Sequence, residues 1–168
     1  MHIKAKKSLG QNFLIDREVL DKIVSTCDIA NKEILEIGPG TGNLTTYILK
    51  KKPKKVYVVE KDDKLAALLK EKFEDEIKII NNDILKVDET KISDQKLTVF
   101  GNLPYNISTE ILSKWIFNIG KNFWFENLVL MFQKEVAEKF NIDLNLRPQN
   151  LKPEMYFKLT KEYEDLKG

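Results

Sequence analysis

Cysteine and histidine are almost missing from this chain of 168 residues: Cys27 and His2 are single examples of their kinds. One thiol can form neither an intrachain disulfide nor a cysteine metal cluster. With a single imidazole as well, no catalytic metal site is expected. No apolar run approaches the roughly eighteen residues that a membrane span needs. The opening Met1-His2-Ile3-Lys4 leads into Lys6 and Lys7 without an apolar core, so it does not read as a secretory signal. No membrane association and a cytoplasmic location are therefore expected. An excess of one charge is lacking too, since the net charge is only +2. Bulk charge thus gives no argument for nucleic-acid binding, although Lys4, Lys6 and Lys7, and the run Lys50, Lys51, Lys52, Lys54 and Lys55, are basic clusters of a kind that suits phosphate. The second run lies between a helix and a strand, where a solvated surface is the simpler account.

The sequence has the length of one domain, and its apolar pattern alternates between two periods. Asp16 is a helix cap, followed by a helical stripe of Val19, Leu20, Ile23, Val24 and Cys27. Cys27 is then a small core residue. Residues 33–38 read as a buried strand ending in a glycine turn, and 43–51 as a helix with Leu44, Ile48 and Leu49 inward. Residues 56–60 form a second strand, and Asp62 caps a helix with Leu65, Leu68, Leu69 and Phe73 on one stripe. Strands follow at 77–80, 97–100 and 128–132, with a helix between the last two capped by Ser108 and carrying Ile111, Leu112, Trp115 and Ile116. Residues 133–140 look helical. Alternation of this kind predicts an α/β fold: a mostly parallel sheet with helices on both faces. Ligands of such sheets bind beyond the carboxyl ends of the strands, where the strand order reverses. Four motifs lie at such ends.

The first is Glu36-Ile37-Gly38-Pro39-Gly40-Thr41-Gly42. Its G-x-G-x-G spacing lacks the third glycine of a dinucleotide fingerprint, since Asn43 stands there. Close backbone approach without an anion hole suits a cofactor without phosphates, such as S-adenosylmethionine. The second is Glu60, whose carboxylate can accept both hydroxyls of a ribose. The third is Asn82-Asp83, where Asp83 could accept from an adenine amine or simply serve a turn. The fourth is Asn102-Leu103-Pro104-Tyr105. An adenine amine is a poor nucleophile because its lone pair is delocalised into the ring. The Asn102 side-chain oxygen and the Leu103 carbonyl can bind its two hydrogens and favour a tetrahedral nitrogen. Pro104 biases Leu103 toward an extended backbone, and Tyr105 can stack on a base taken out of its helix or loop.

With these residues the sequence resembles the ribosomal RNA adenine dimethyltransferases, specifically the small-subunit enzymes. The resemblance is carried by Gly10-Gln11-Asn12-Phe13-Leu14, EIGPGTG at 36–42, VVEKD at 58–62, NND at 81–83, FGNLPYNIST at 100–109 and FQKEVAEK at 132–139. It implies a Rossmann-like class I methyltransferase fold. It also implies methyl transfer from S-adenosylmethionine to the N6 amines of two adjacent adenosines in a small-subunit stem-loop. The implied partner is small-subunit RNA or an immature small ribosomal subunit. Cofactor contacts are implied at Asn12, Leu14, Gly38, Gly40, Glu60, Asp83 and Asn102. The amine-handling group would be Asn102, Leu103, Pro104 and Tyr105, and Gln11-Asn12-Phe13 would close over the cofactor.

The resemblance lapses after Phe140. Relatives continue with more sheet and a small helical domain, whereas here Phe140-Asn141-Ile142-Asp143 runs directly into Leu146-Arg147-Pro148-Gln149-Asn150-Leu151. That phrase is similar to the far C-terminus of the family. Pro153, Met155, Tyr156, Leu159, Tyr163 and Leu166 then suit one last helix. The expected division is a cofactor-binding methyltransferase domain at 1–140, truncated after its fifth strand, and a remnant segment with one helix at 141–168. The fifth strand would keep an outer edge prone to self-association. Two other functions fit the same residues: a large-subunit dimethyltransferase conferring antibiotic resistance, and a non-catalytic RNA-binding assembly factor.

Overall fold

A computed structural model describes residues 15–103, 107, 110, 111, 114, 115 and 124–131. Its sheet is built from β1 (Glu33–Ile37), β2 (Lys55–Glu60), β3 (Lys78–Asn81), β4 (Leu97–Asn102) and β5 (Phe125–Met131). The helices are α1 (Arg17–Val24), α2 (Asn43–Lys50) and α3 (Asp63–Phe73). The strands lie in the order β3-β2-β1-β4-β5, and every neighbouring pair is parallel. The chain moves outward from β1 to β3, then returns to the other side of β1 for β4. Strand order therefore reverses between β1 and β4, and the crevice beyond their carboxyl ends is the natural binding place.

Side chains alternate across the strands, so each strand feeds two cores. Ile34, Val56, Val58 and Phe100 meet Leu20 and Val24 of α1, Leu44 and Ile48 of α2, and Leu69 and Phe73 of α3. On the other face Leu35, Ile37, Tyr57, Val59 and Val99 meet Ile84, Val87, Leu103, Ile111 and Trp115. Burial on both faces explains why β1, EILEI, is buried throughout. Each fully buried aliphatic side chain contributes roughly 1.5–3 kcal/mol.

Helix starts follow the expected caps. Asp16 accepts from the amides of Glu18 and Val19, and Asp62 from those of Lys64 and Leu65. Several boundaries move. β3 runs one residue later than expected, and Ile77 is buried ahead of it. β5 begins at Phe125 rather than Leu128, because a register shift between Leu97 and Thr98 lets the polar Glu126-Asn127 enter the ladder. Its apolar residues are half-buried rather than buried on both faces, as befits an edge strand among the described residues. Val19 lies outside the α1 stripe and is 39% exposed, since one residue step turns a helix by a large angle away from Leu20. The helix after β4 has already begun at Ile107, one residue before its expected cap. Leu112, Ile116, the helix at 133–140 and the segment 141–168 lie outside the described residues. Among the described residues no helix is long and apolar enough to cross a membrane.

Candidate active site

The glycine loop after β1 is a tight turn in which Gly42 N–H donates to Pro39 O at 2.9 Å. Gly38 N–H donates to Val59 O at 3.0 Å, which anchors the loop to β2. Gly42 caps α2 with φ of 76°, and a Cβ placed there would collide with the Phe73 ring and touch Leu69 Cδ2 at 3.0 Å. Glycine is required at this position on both counts. From α3, Lys72 Nζ donates to Thr41 O at 3.0 Å and so fastens the loop from outside. Burial lowers the pKa of this lysine.

Glu60 ends β2 and is buried, at 6% exposure, rather than solvated beside Lys61. Its Oε2 accepts from Gly40 N–H at 3.2 Å and its Oε1 from Asp62 N–H at 2.9 Å. Burial pushes its pKa up, against the pull of the backbone amides of Asp62, Gly40 and Lys61. Each carboxylate oxygen keeps a further lone pair for a hydroxyl donor. Two loop amides that could cradle a phosphate are thus already engaged, Gly40 by Glu60 and Gly42 by Pro39. A buried carboxylate beside them disfavours an anion. The donor set fits a ribose-bearing, cationic cofactor such as S-adenosylmethionine and does not fit a pyrophosphate.

Asp83 serves a turn and an ion pair at once. Its Oδ1 accepts from Leu85 N–H at 3.1 Å and caps a 3-10 turn at Ile84–Lys86, while its Oδ2 pairs with Lys61 Nζ at 2.7 Å. The Lys61 contact holds its carboxyl below the usual carboxylate range. Asn102, half-buried, ends β4 next to the glycine loop: a Cβ on Gly38 would lie 3.9 Å from Asn102 O. Leu103 is buried. Gly38, Gly40, Glu60, Asp83, Asn102 and Leu103 therefore all lie at the carboxyl ends of β1 to β4 or in the loops that follow them. Asn12, Leu14, Pro104 and Tyr105 lie outside the described residues. The Lys50–Lys55 run enters β2 from its amino end, away from this crevice. There Lys51 pairs with Asp21 at 3.5 Å, and Lys54 with Glu33 at 3.0 Å.

Sequence reasoning gave no role to Glu36, Thr45 or Lys72. Glu36 is 1% exposed beneath the loop and accepts from Thr45 Oγ at 2.6 Å. The one signal for it was an acid placed between the apolar Leu35 and Ile37 in the middle of a buried strand.

A doubly wound sheet of order 3-2-1-4-5, with a glycine loop after β1 and an acid ending β2, defines a class I S-adenosylmethionine-dependent methyltransferase. Residues 2–150 match the family described as ribosomal RNA adenine dimethylase, and the chain belongs to that family. It is similar to the ribosomal RNA small subunit methyltransferase A of Pelagibacter ubique, 53% identical over 262 residues, an alignment covering 100% of each chain. That alignment is far longer than this chain, so the relative has a block of residues with no counterpart here. The relative of the same name from Cereibacter sphaeroides is 40% identical over 82% of this chain, which spans only 50% of that protein. Among solved structures, a dimethyladenosine transferase from Plasmodium falciparum is 30% identical with a TM-score of 0.65, covering 79% of this chain and 47% of its own. The 23S rRNA methyltransferase ErmE is 29% identical with a TM-score of 0.64, over 76% and 50%.

Proposed function

We propose that this protein transfers methyl groups from S-adenosylmethionine to the N6 amine of two adjacent adenosines in a small-subunit ribosomal RNA stem-loop. The observation that carries this is the abutment of the glycine loop on Asn102 at the switch point. Gly38, Gly40, Glu60 and Asp83, with Asn12 and Leu14, would hold the cofactor, which supplies an electrophilic methyl group on a sulfonium. Asn102 and the Leu103 carbonyl would accept the two amine hydrogens and turn the nitrogen lone pair outward. The interaction is strongest as the nitrogen becomes tetrahedral, so it lowers the barrier rather than merely binding substrate. No side chain need act as a base, because the alkylated amine loses its proton readily to solvent. Tyr105 would stack on the target base, and Pro104 would keep Leu103 extended.

The proposal extends to a cytoplasmic site of action on the RNA of an immature small subunit. It assigns cofactor binding and chemistry to residues 1–140 and an ancillary helix to 141–168. It also includes self-association along β5, since that strand pairs only with β4 among the described residues and open edges promote pairing. Light scattering that finds a monomer at every concentration would remove this last element.

The experiment is methylation of under-methylated small subunits with labelled cofactor, alongside naked small-subunit RNA and large-subunit RNA. Label on two adjacent adenosines of the small subunit, lost in Asn102→Ala without loss of the cooperative melt, is expected. Label on large-subunit RNA alone would favour the ErmE-like activity, and cofactor binding with no transfer to any RNA would favour an assembly factor.

A further inference from the structure

A second polar cluster lies beside the crevice, and methyl transfer gives it no task. Lys114, on the helical segment after β4, directs its ammonium into the connection between β3 and β4. There Nζ donates to Ile84 O at 3.0 Å, to Val87 O, and to Glu89 Oε1 at 2.9 Å. The same Glu89 oxygen accepts the indole N–H of Trp115 at 2.7 Å. The Glu89 side chain is 6% exposed and that of Lys114 23%. A charge pair this sheltered is costly to form, and breaking one partner leaves the other uncompensated. It is a strong local constraint, but a core of apolar residues would fill the space without it.

The two ends of the constraint decide what it does. One end is the turn at Ile84–Lys86, whose capping residue is Asp83. Ile84 O accepts from Val87 N–H as well as from Lys114, and Lys86 N–H closes on Asp83 O at 2.9 Å. The ammonium thus fixes the turn that aims the Asp83 carboxylate. The other end is the helical segment whose Ile111 and Trp115 pack in one cluster with Leu103. Trp115 is braced in turn by Trp124, ring centres 5.4 Å apart and edge to face. Lys114 therefore spans from the lip of the crevice bearing Asp83 to the lip bearing Asn102 and Leu103.

We propose that Lys114, with Glu89 as its counter-charge, is a positioning residue that holds the adenine-side turn at Asp83 in register with the amine-handling residues. This rests on the methyltransferase reading above. The test is a double-mutant cycle read by calorimetry with S-adenosylhomocysteine, using the wild-type chain, Lys114→Met, Asp83→Ala and the pair. A residue acting through Asp83 gives non-additive losses, whereas a purely structural one adds to them. Each single change should weaken binding about tenfold, the scale of one charge-assisted hydrogen bond, and the pair should be little worse than either. Wild-type binding with Lys114→Met unchanged, or losses that multiply in the pair, overturns the proposal while leaving the methyltransferase reading in place. No binding by the wild type overturns both. If Lys114→Met lacks a cooperative melt, Glu89→Gln replaces it in the cycle. That variant removes the counter-charge but keeps an acceptor for Trp115, and the same non-additivity is required of it.

Discussion

Thr45 donates its hydroxyl to Glu36 Oε2 at 2.6 Å, joining the first turn of α2 to the carboxyl end of β1 beneath the glycine loop. Burial, with a lesser push from Glu60 and against the Thr45 hydrogen bond and the charge of Lys72, holds the Glu36 carboxyl up at about 7, compared with an ordinary 4.5. The folded protein retains this proton where the unfolded chain has lost it. The stability tied to Glu36 is thus full below about 4.5 and declines as pH rises toward 7. Glu36→Gln keeps an acceptor for Thr45 and removes the titration. At pH 8 it should be more stable than the wild type by on the order of 3 kcal/mol, with the gain vanishing near pH 4. Denaturant melts at the two pH values measure it, and an equal difference at both would refute the assignment.

Gly42→Ala should destabilise the fold by about 2–5 kcal/mol, combining a left-handed backbone with overpacking. The backbone part follows from φ of 76°, the packing part from the collision with Phe73. Asn tolerates such a φ better than Ala does, so Gly42→Asn separates the two causes. If space dominates, Asn should do no better than Ala in thermal melts.

Glu60 is the residue proposed to hold the ribose end of the cofactor. Glu60→Ala should weaken S-adenosylmethionine binding at least about tenfold, since it removes the proposed charge-assisted acceptors for a ribose and frees the amides of Gly40 and Asp62. Because burial raises its pKa, wild-type affinity should fall on acidification as the carboxyl gains a proton. Calorimetric titrations across pH test both points, and a pH-independent affinity in the wild type would argue that Glu60 does not touch the ligand.

The sheet was legible because its signals are local. Apolar strands alternate with capped helices, and a parallel sheet buried on both faces puts apolar residues on both sides of β1 and β2, at Ile34, Leu35 and Ile37 and at 56–59. The glycine loop and Glu60 were legible for the same reason, being placed by strand ends. The start of β5 was not, since Glu126-Asn127 looks like a loop until the ladder with β4 absorbs one extra residue. Lys72, Glu89 and Lys114 were invisible because their partners are distant in sequence: Lys114 meets Glu89 only once β4 has crossed back beside β1. Charged residues at helical spacing read as a solvated face until the tertiary contacts are known.

Gly101 links packing to chemistry within β4. A Cβ there would lie 3.0 Å from Leu103 Cδ2, 3.3 Å from Leu103 Cγ and 3.2 Å from Leu130 Cδ2. These are side-chain atoms that can yield, so Gly101→Ala should cost only about 1 kcal/mol in stability. The yielding residue matters more than the cost, because Leu103 supplies one of the two proposed acceptors for the amine. Moving a positioning group by even a fraction of an ångström is felt mainly in the transition state. Gly101→Ala should therefore lower the rate of methyl transfer about tenfold or more, while leaving the affinity for S-adenosylhomocysteine nearly unchanged. Single-turnover rates set beside calorimetric affinities measure the split. Equal losses in rate and affinity would mean that the glycine serves the cofactor pocket instead.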